Sequence, residues 1–389
     1  METVRVGLIG VGNIGSAHLN WITTHPQEGL TVTALCDSDP AKQEVLRHKY
    51  PAVPVFADSG DLLGSGLVDA IVVATPHYFH PAIAIEGFRR GLHVLVEKPA
   101  GVCTRRVREM NEAARESGRV FGIMFNQRTN PLFAKAREIV QGGLLGEPKR
   151  LVWIVTNWYR TQAYYDAGSW RATWNGEGGG VLLNQAPHNL DLWQWIFGMP
   201  DRVFAFCSTG KYHSIAVEDD VTIQAEYASG ASATFITSTG EAPGTNRLEI
   251  AGDRGKLVLE DGKLRWWRLS QPEREFCFSA AEGFFQPPTA YEEFMQPEPP
   301  GHPRILRNFA DAVRYGTPLL APGEEGIRSL SISNAAYLSA WTHDWAAIPV
   351  DEETFSFYFR QRCEQEKQKP PARQERLSGG YQARWNTRW

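Results

Sequence analysis

The sequence is short of several things, and each shortage excludes a class of protein. Its 389 residues hold five cysteines, at positions 36, 103, 207, 277 and 363, and no two form a CxxC pair. Scattered thiols fit a reducing compartment better than a disulfide framework. No unbroken apolar stretch approaches the roughly 20 residues that a membrane helix needs. The first residues run straight into "VRVGLIGVGNIG", with no basic segment followed by a small-residue cleavage site. The expectation is a soluble, cytoplasmic protein with no membrane partner. There is no excess of positive charge either. Forty Lys and Arg against 44 Asp and Glu leave a net charge of −4, which argues against nucleic acid as a partner. No internal repeat is visible. No metal site is expected, because no third ligand joins the His and Asp residues near position 188 at a recognisable spacing.

What is present reads as two domains and an extension, at 1–126, 127–350 and 351–389. In the first, the apolar runs 4–10, 31–37, 69–75, 93–98 and 120–126 alternate with helical patterns. Nearly continuous apolar runs suit parallel strands covered on both faces, so a doubly wound parallel sheet is predicted. The clearest helix is "TRRVREMNEAARESG", with Thr104 as N-cap, Val107, Met110 and Ala114 as a buried stripe, and Gly118 as its stop. Beyond 127, the runs 150–160, 202–210, 221–240 and 248–269 are punctuated by Ser229-Gly230, Asp253-Arg254-Gly255 and Asp261-Gly262. These spacings predict an open, mainly antiparallel sheet in a second α/β domain. Residues 270–300 read as a long loop, and 303–316 and 324–342 as helices. The polar end from 364 reads as a disordered tail or an arm on a neighbouring subunit.

"GVGNIG" places Gly10, Gly12 and Gly15 in GxGxxG spacing between a strand and a helix, with Asn13 and Ile14 inside the turn. Gly10 permits the tight turn, Gly12 lets a pyrophosphate approach the backbone, and Gly15 lets helix and strand pack closely. The helix N-terminus offers N–H groups to the phosphates. Asp37, ending the next strand, can accept hydrogen bonds from both ribose hydroxyls and would repel a 2′-phosphate. No Arg follows it, so NAD is favoured over NADP. "ATPHYFHP" brings Thr75, Pro76, His77, Tyr78 and His80 to the rim of the same sheet.

"HVLVEKPAG" places Glu97 and Lys98 at the carboxyl end of a predicted parallel strand, where ligands of open α/β sheets bind. Pro99 keeps Lys98 out of helical geometry. A lysine there can donate to a substrate hydroxyl. Far along the chain, "GEGGGVLLNQAPHNLDLWQW" sets Asn184, His188 and Asp191 into an otherwise apolar segment. Pro187 is tolerated only in a first helical turn, so the helix is predicted to start near Leu183 or Asn184. That leaves Asn184 and His188 at its exposed end, with Leu183, Leu190, Trp193 and Ile196 facing the core and Asp191 structural. "NWYRTQAYYDAGSWRATW" adds Tyr159, Arg160, Tyr164, Tyr165, Trp170, Arg171 and Trp174, aromatic planes and guanidinium groups suited to a carbohydrate ring.

Together, the glycine fingerprint, "ATPHYFHP", "EKPAG" and "GGGVLLNQAPHNLD" resemble the Gfo/Idh/MocA oxidoreductases from residue 4 to about 350. The resemblance implies an N-terminal Rossmann domain that binds NAD and a C-terminal α/β domain whose open sheet serves homodimers or homotetramers. It implies a sugar, glycoside or cyclitol substrate. Lys98 matches the family's catalytic lysine and His188 its active-site histidine. Asn126, Gln127 and Arg128 match a segment expected to contact cofactor or substrate. Where the family often has Asp, this chain has Asn184. An amide cannot take a proton at neutral pH, so the base role moves to His188, an imidazole. The expected activity is hydride transfer between a secondary hydroxyl and NAD. Two alternatives stand beside it. One is an NAD-dependent glycosidase working through transient C3 oxidation, elimination, water addition and re-reduction. The other is a regulator that binds sugar or dinucleotide without catalysis.

Overall fold

The computed structural model describes residues 3–168, 170–295 and 301–368. The chain divides into two compact units, Met1–Thr129 with Pro300–Leu330, and Asn130–Pro299 with Ser331–Trp389.

In the first unit β1 (Val4–Ile9), β2 (Leu30–Cys36), β3 (Val55–Phe56), β4 (Ala70–Val73), β5 (His93–Val96) and β6 (Phe121–Ile123) form one sheet in the order β3-β2-β1-β4-β5-β6. Every pair in it is parallel. Val6, Leu8, Val72, Leu95 and their neighbours are buried, as strands covered on both faces require. β3 went unread because two residues carry no periodicity. The helix Thr104–Ser117 buries Val107, Met110 and Ala114, and Gly118 ends it in the left-handed region (φ +64°). Cys103, not Thr104, occupies its N-cap, and Thr104 is already a buried first-turn residue. Residues 301–330, expected within the second domain, group with this sheet. Helix His302–Tyr315 buries Ile305, Leu306, Phe309 and Ala310. The Ile123 N–H donates to Ala321 O at 3.1 Å, and Arg304 Nη1 donates to Thr129 O at 3.0 Å.

The second unit is built on nine strands, β7 (Pro148–Val155), β8 (Arg202–Thr209), β9 (Glu218–Glu226), β10 (Ser232–Ser238), β11 (Asn246–Gly252), β12 (Gly255–Glu260), β13 (Lys263–Leu269), β14 (Thr289–Met295) and β15 (Ala346–Ala347). Their order is β14-β13-β12-β11-β7-β10-β9-β8-β15. The β7–β10 pair is parallel and the others are antiparallel, so the sheet is mixed but mainly antiparallel. Helix Pro187–Phe197 lays Trp193 on Phe235 of β10, ring centroids 5.8 Å apart, and Phe133 meets Trp153 of β7 at 5.8 Å.

Two expectations are corrected here. Residues 270–300 are not one loop, because they include the helix Glu273–Ser279 and strand β14. β14 is an edge strand with mostly exposed side chains, held by Lys263 and Arg265 against Glu293 and by Trp267 against Tyr291. Its residues show no apolar alternation for that reason. The second correction is the helix start. It lies at Pro187, with Ala186 as N-cap. Residues 181–186 form turns instead, since a proline has no N–H to continue a helix begun upstream. The extension also contributes to this unit. Helix Glu352–Gln368 stacks Phe355 on Trp341 at 5.6 Å, and Glu366 accepts the N–H groups of Trp174 (3.2 Å) and Asn175 (2.9 Å). The part of the expected tail beyond 368 lies outside the described residues.

Candidate functional site

In the first unit the glycine turn has the shape a dinucleotide needs. Gly10 holds φ +87°, and a Cβ there would meet Ala74 O at 2.7 Å. A Cβ on Gly15 would meet Gly10 O at 2.0 Å, so glycine is needed for the helix to pack on the turn. A Cβ on Gly12 would meet nothing within 4 Å. That open space, at the N-cap of helix Asn13–Thr24, leaves room for a group to approach the first-turn N–H donors. Asn13 is exposed and Ile14 half-buried. Asp37 is buried. Its Oδ2 accepts the Val11 N–H at 2.9 Å, its Oδ1 accepts the Asp39 N–H at 3.0 Å, and Lys42 Nζ stands 3.7 Å away. These bonds hold the carboxylate at the rim of the turn.

The residues after β4, β5 and β6 divide into struts and unsatisfied polar groups. His80 is fully buried, with Nδ1 2.8 Å from Pro99 O and Nε2 2.7 Å from Thr75 O. Burial lowers its pKa, and a neutral imidazole donates to one of the two carbonyls. It ties the two loops together from inside the protein. Glu97, also buried, faces His18 Nε2 at 2.7 Å and accepts the Lys98 N–H at 3.1 Å. Burial alone would raise its pKa. The hydrogen bond and charge of His18, with His302 and Lys98 beyond, hold it down to about 2. His302, whose ring lies 5.6 Å from that of His18, is pushed down to about 4 by burial. Arg128 Nη1 pairs with Glu325 at 2.5 Å. By contrast, Thr75 Oγ1, Asn126 Oδ1 and both amide atoms of Gln127 are buried and meet no hydrogen-bond partner among the described residues. Buried polar atoms of that kind ordinarily have partners, so they fit a polar cofactor. His77 is buried, and Pro76 is half-buried beside it. From Val94 to Val102, Lys98 is the one residue that is not buried.

In the second unit the last two of the three glycines before Val181 are packed against protein. A Cβ on Gly179 would meet Tyr337 Oη at 2.2 Å, and one on Gly180 would meet Glu218 O at 1.9 Å. Glu218 is fully buried and accepts Gly180 N–H, Leu182 N–H and Tyr337 O–H at 3.0, 3.0 and 2.7 Å. Burial outweighs these donors and lifts its pKa to about 7. The turn delivers His188, buried, to the first turn of helix Pro187–Phe197. Asn184 sits before that helix and is the one residue between Glu177 and Gln194 that is not buried. Its Nδ2 donates to Glu177, which also accepts the Ala172 N–H at 2.6 Å. Asp191 is buried and accepts from Gln194 Nε2 at 3.0 Å, a structural place.

The aromatic loop is split in the same way. Tyr165 is buried, its hydroxyl 2.7 Å from Thr239 Oγ1 and its ring 4.8 Å from that of His213. Trp174 is buried against Tyr337 and Trp341. Both belong to the packing of this unit, not to an open face. Tyr159 is half exposed, and Arg160 Nη1 donates to its carbonyl at 2.9 Å. The Tyr164 ring has Arg160 at 5.2 Å and Arg171 at 4.9 Å, and Arg171 also lies 4.6 Å from the Trp170 ring. Sequence reasoning missed His18, His302, Glu177 and Glu218. Each meets its partner through folding across tens of residues or a glycine turn, and only the "GEGGG" context hinted at Glu177.

Comparison with known proteins bears on the family and the fold. Residues 4–125 match the oxidoreductase family model with an NAD-binding Rossmann fold, and 133–258 match the GFO/IDH/MocA C-terminal domain. Inositol 2-dehydrogenase of Rhizobium meliloti is 24% identical over 342 residues, 87% of this chain and 97% of that protein. D-glucoside 3-dehydrogenase of Escherichia coli is 30% identical over 200 residues, 51% of this chain and 55% of that one. The WlbA dehydrogenase of Chromobacterium violaceum, solved with NADH and UDP-GlcNAcA, superposes with a TM-score of 0.77 at 27% identity, covering 90% of this chain and 97% of the other. The first unit is thus an NAD-binding Rossmann domain, and the chain belongs to the Gfo/Idh/MocA family of oxidoreductases.

Proposed function

We propose that the protein is an NAD-dependent dehydrogenase acting on a secondary hydroxyl of a pyranose, glycoside or cyclitol. The observation that carries the reading is Lys98. It is the one side chain left partly exposed in the buried stretch after β5, on the sheet whose glycine turn leaves room for the dinucleotide. NAD, when bound, supplies the hydride acceptor. Gly12 admits its pyrophosphate at the turn that Gly10 and Gly15 let the chain make, Asp37 takes its ribose, and Thr75, Asn126 and Gln127 meet its polar groups. The Lys98 ammonium donates to the substrate oxygen and stabilises the charge that develops there. His188 accepts the hydroxyl proton. Asn184 holds a neighbouring hydroxyl, and Tyr159, Arg160, Trp170 and Arg171 line the sugar's path. Support for the substrate class comes from relatives named for an inositol and a D-glucoside, and from UDP-GlcNAcA in the third, molecules that share rings of secondary hydroxyls. A cytoplasmic setting fits five cysteines that form no disulfide, and the open second sheet fits a homo-oligomer.

A panel of glucosides, cyclitols and anionic sugars with NAD, followed for NADH and for aglycone release together, tests this. NADH formation with at least one member is expected. Phenol release from an aryl glycoside without net NADH would replace the dehydrogenase with a redox-neutral glycosidase. Silence across the panel would leave a binding protein.

A further inference from the structure

We infer that His213, held as an imidazolium between Asp219 and the Arg160 carbonyl, is a positioning residue for the turn that carries Tyr159 and Arg160; this rests on the reading of that turn as part of the sugar's path. His213 lies on the connection 210–217 between β8 and β9, and its side chain is 6% exposed. Its Nδ1 stands 2.9 Å from Asp219 Oδ2, and its Nε2 stands 2.8 Å from Arg160 O. Both partners accept. Asp219, fully buried on β9, already takes the N–H groups of Lys211, Tyr212 and His213 at 2.9, 2.8 and 3.0 Å, so it offers the ring an oxygen and not a proton. A backbone carbonyl has no proton to give. A neutral imidazole carries one N–H and one bare nitrogen, so one of the two contacts would set lone pair against lone pair inside the protein. The doubly protonated ring satisfies both acceptors. The forces on the ring agree. Burial lowers its pKa, but the Asp219 hydrogen bond, the Arg160 carbonyl and the Asp219 charge together raise it above the ordinary 6.5.

The ring is one half of a clamp on Arg160. The Arg160 N–H donates to Thr239 O at 2.9 Å, just past β10, while its carbonyl accepts from His213. Next to it, Gln162 accepts the Ser214 N–H at 2.8 Å and ties the turn to the same connection. The ionisable groups near the ring do not compete for its proton. Tyr165 of helix Gln162–Asp166 lies 4.8 Å away, ring to ring, and burial keeps its hydroxyl protonated well above the usual range. Asp166 accepts from Gln162, Lys211 pairs with Asp220, and Glu218 accepts from the glycine turn. The Arg160 guanidinium lies over the Tyr164 ring at 5.2 Å. When the ring loses a proton, Nδ1–H stays with the carboxylate and bare Nε2 repels the Arg160 carbonyl. The turn is therefore held at acid and neutral pH and loosens as pH rises through the raised pKa.

Two substitutions separate the contacts. In His213→Asn the amide nitrogen reaches the place of Nδ1, which keeps Asp219 and loses Arg160. In His213→Gln it reaches the place of Nε2 and donates to Arg160 O at any pH. Nitrogen-15 NMR of the full chain, with the His213 signal assigned by its loss in either variant, should show both ring nitrogens protonated at pH 6 and a titration above 6.5. Hydrogen exchange of residues 157–166 reads the turn with no ligand present. H213N should exchange there about tenfold or more faster than the unaltered protein at pH 6, with the ratio shrinking toward one as the ring titrates. Its deficit in Tm should shrink over the same range, because a raised pKa contributes stability below the ordinary value and loses it as pH rises through the raised one. H213Q should hold the turn at pH 6 and at pH 8.5 alike. With NAD and the best sugar of the panel, H213N should raise KM about fivefold or more at pH 6 with kcat nearly unchanged, and H213Q should restore KM and flatten its rise with pH. A singly protonated ring at pH 6, or equal exchange of 157–166 in H213N and the unaltered protein at every pH, would overturn the inference. A turn that loosens as expected while KM stays flat would overturn its role toward the sugar. Where a sugar binds without being oxidised, its dissociation constant replaces KM, so a failure of the dehydrogenase reading is told apart from a failure of the clamp.

Discussion

Each unit has a glycine-rich turn ahead of a helix, directly at the N-cap in the first and separated from Pro187 by six residues in the second, yet the two turns use glycine for opposite ends. In the first, Gly10 and Gly15 let protein pack on protein, while a Cβ on Gly12 would meet no atom of the described residues within 4 Å. In the second, Gly179 and Gly180 are pressed against Tyr337 and Glu218. Glycine-rich spacing therefore signals a close approach. Only the surroundings say whether the approaching group is a ligand or another part of the chain. The buried carboxylates beside the turns diverge as well. Burial raises both, but Glu97 faces His18 and the charges of His302 and Lys98 and is held down to about 2. Glu218 has neutral N–H and O–H donors and is lifted to about 7. Hydrogen bonds from neutral groups do not offset desolvation here, and imidazoles do.

This contrast can be broken most sharply at the glycines. Gly180→Ala would drive a Cβ into the Glu218 backbone oxygen, which cannot swing aside. Stability should drop by about 3 kcal/mol, read by denaturant unfolding. Gly12→Ala should leave the unfolding midpoint unchanged while NADH affinity, followed by fluorescence titration, falls about tenfold or more. A G12A protein that melts early, or a G180A protein that does not, would erase the distinction between the two turns. The carboxylates give smaller, pH-dependent effects of opposite sign. Glu97 has a depressed pKa, so its contribution to stability is present above the ordinary value of 4.5 and is lost as pH falls toward about 2. His18→Asn should make that acid loss shallower. Glu218 has a raised pKa, so its contribution is present below 4.5 and is lost as pH rises toward about 7. Glu218→Gln should flatten that neutral-side decline. Both are worth about 2–4 °C in Tm per kcal/mol in a domain of this size, and scanning calorimetry across pH 2–8 separates them.

The same contrast explains how much could be read beforehand. The parallel sheet was legible because its strands are buried on both faces and their apolar runs are unbroken; only two-residue β3 escaped. In the second unit, β7 to β13 were legible through their turns, whereas β14 hid its pairing in charges and exposed aromatics. Gly12, Asp37, Lys98 and His188 can be singled out by residue type and position, and their roles belong to the proposed reaction. Their supports cannot be singled out that way. His18 meets Glu97 across 79 positions and Tyr337 meets Glu218 across 119, and no local pattern announces a bond over such a span. Tyr165 and Trp174 looked like sugar-facing aromatics because composition does not distinguish a ring that binds from one that packs. The helix after the glycines was set one turn too early, since Asn184 satisfies the helical spacing to His188 while Pro187 forbids the hydrogen bonding.

Lys98→Ala separates cofactor binding from chemistry. With a sugar that the unaltered protein oxidises, the variant should lose about a thousandfold or more in kcat and bind NADH as before, because in the proposed reaction the ammonium acts on the substrate oxygen while the glycine turn holds the dinucleotide. A K98A protein that forms NADH at the unaltered rate would contradict the assignment of Lys98, and with it the reaction proposed for this chain.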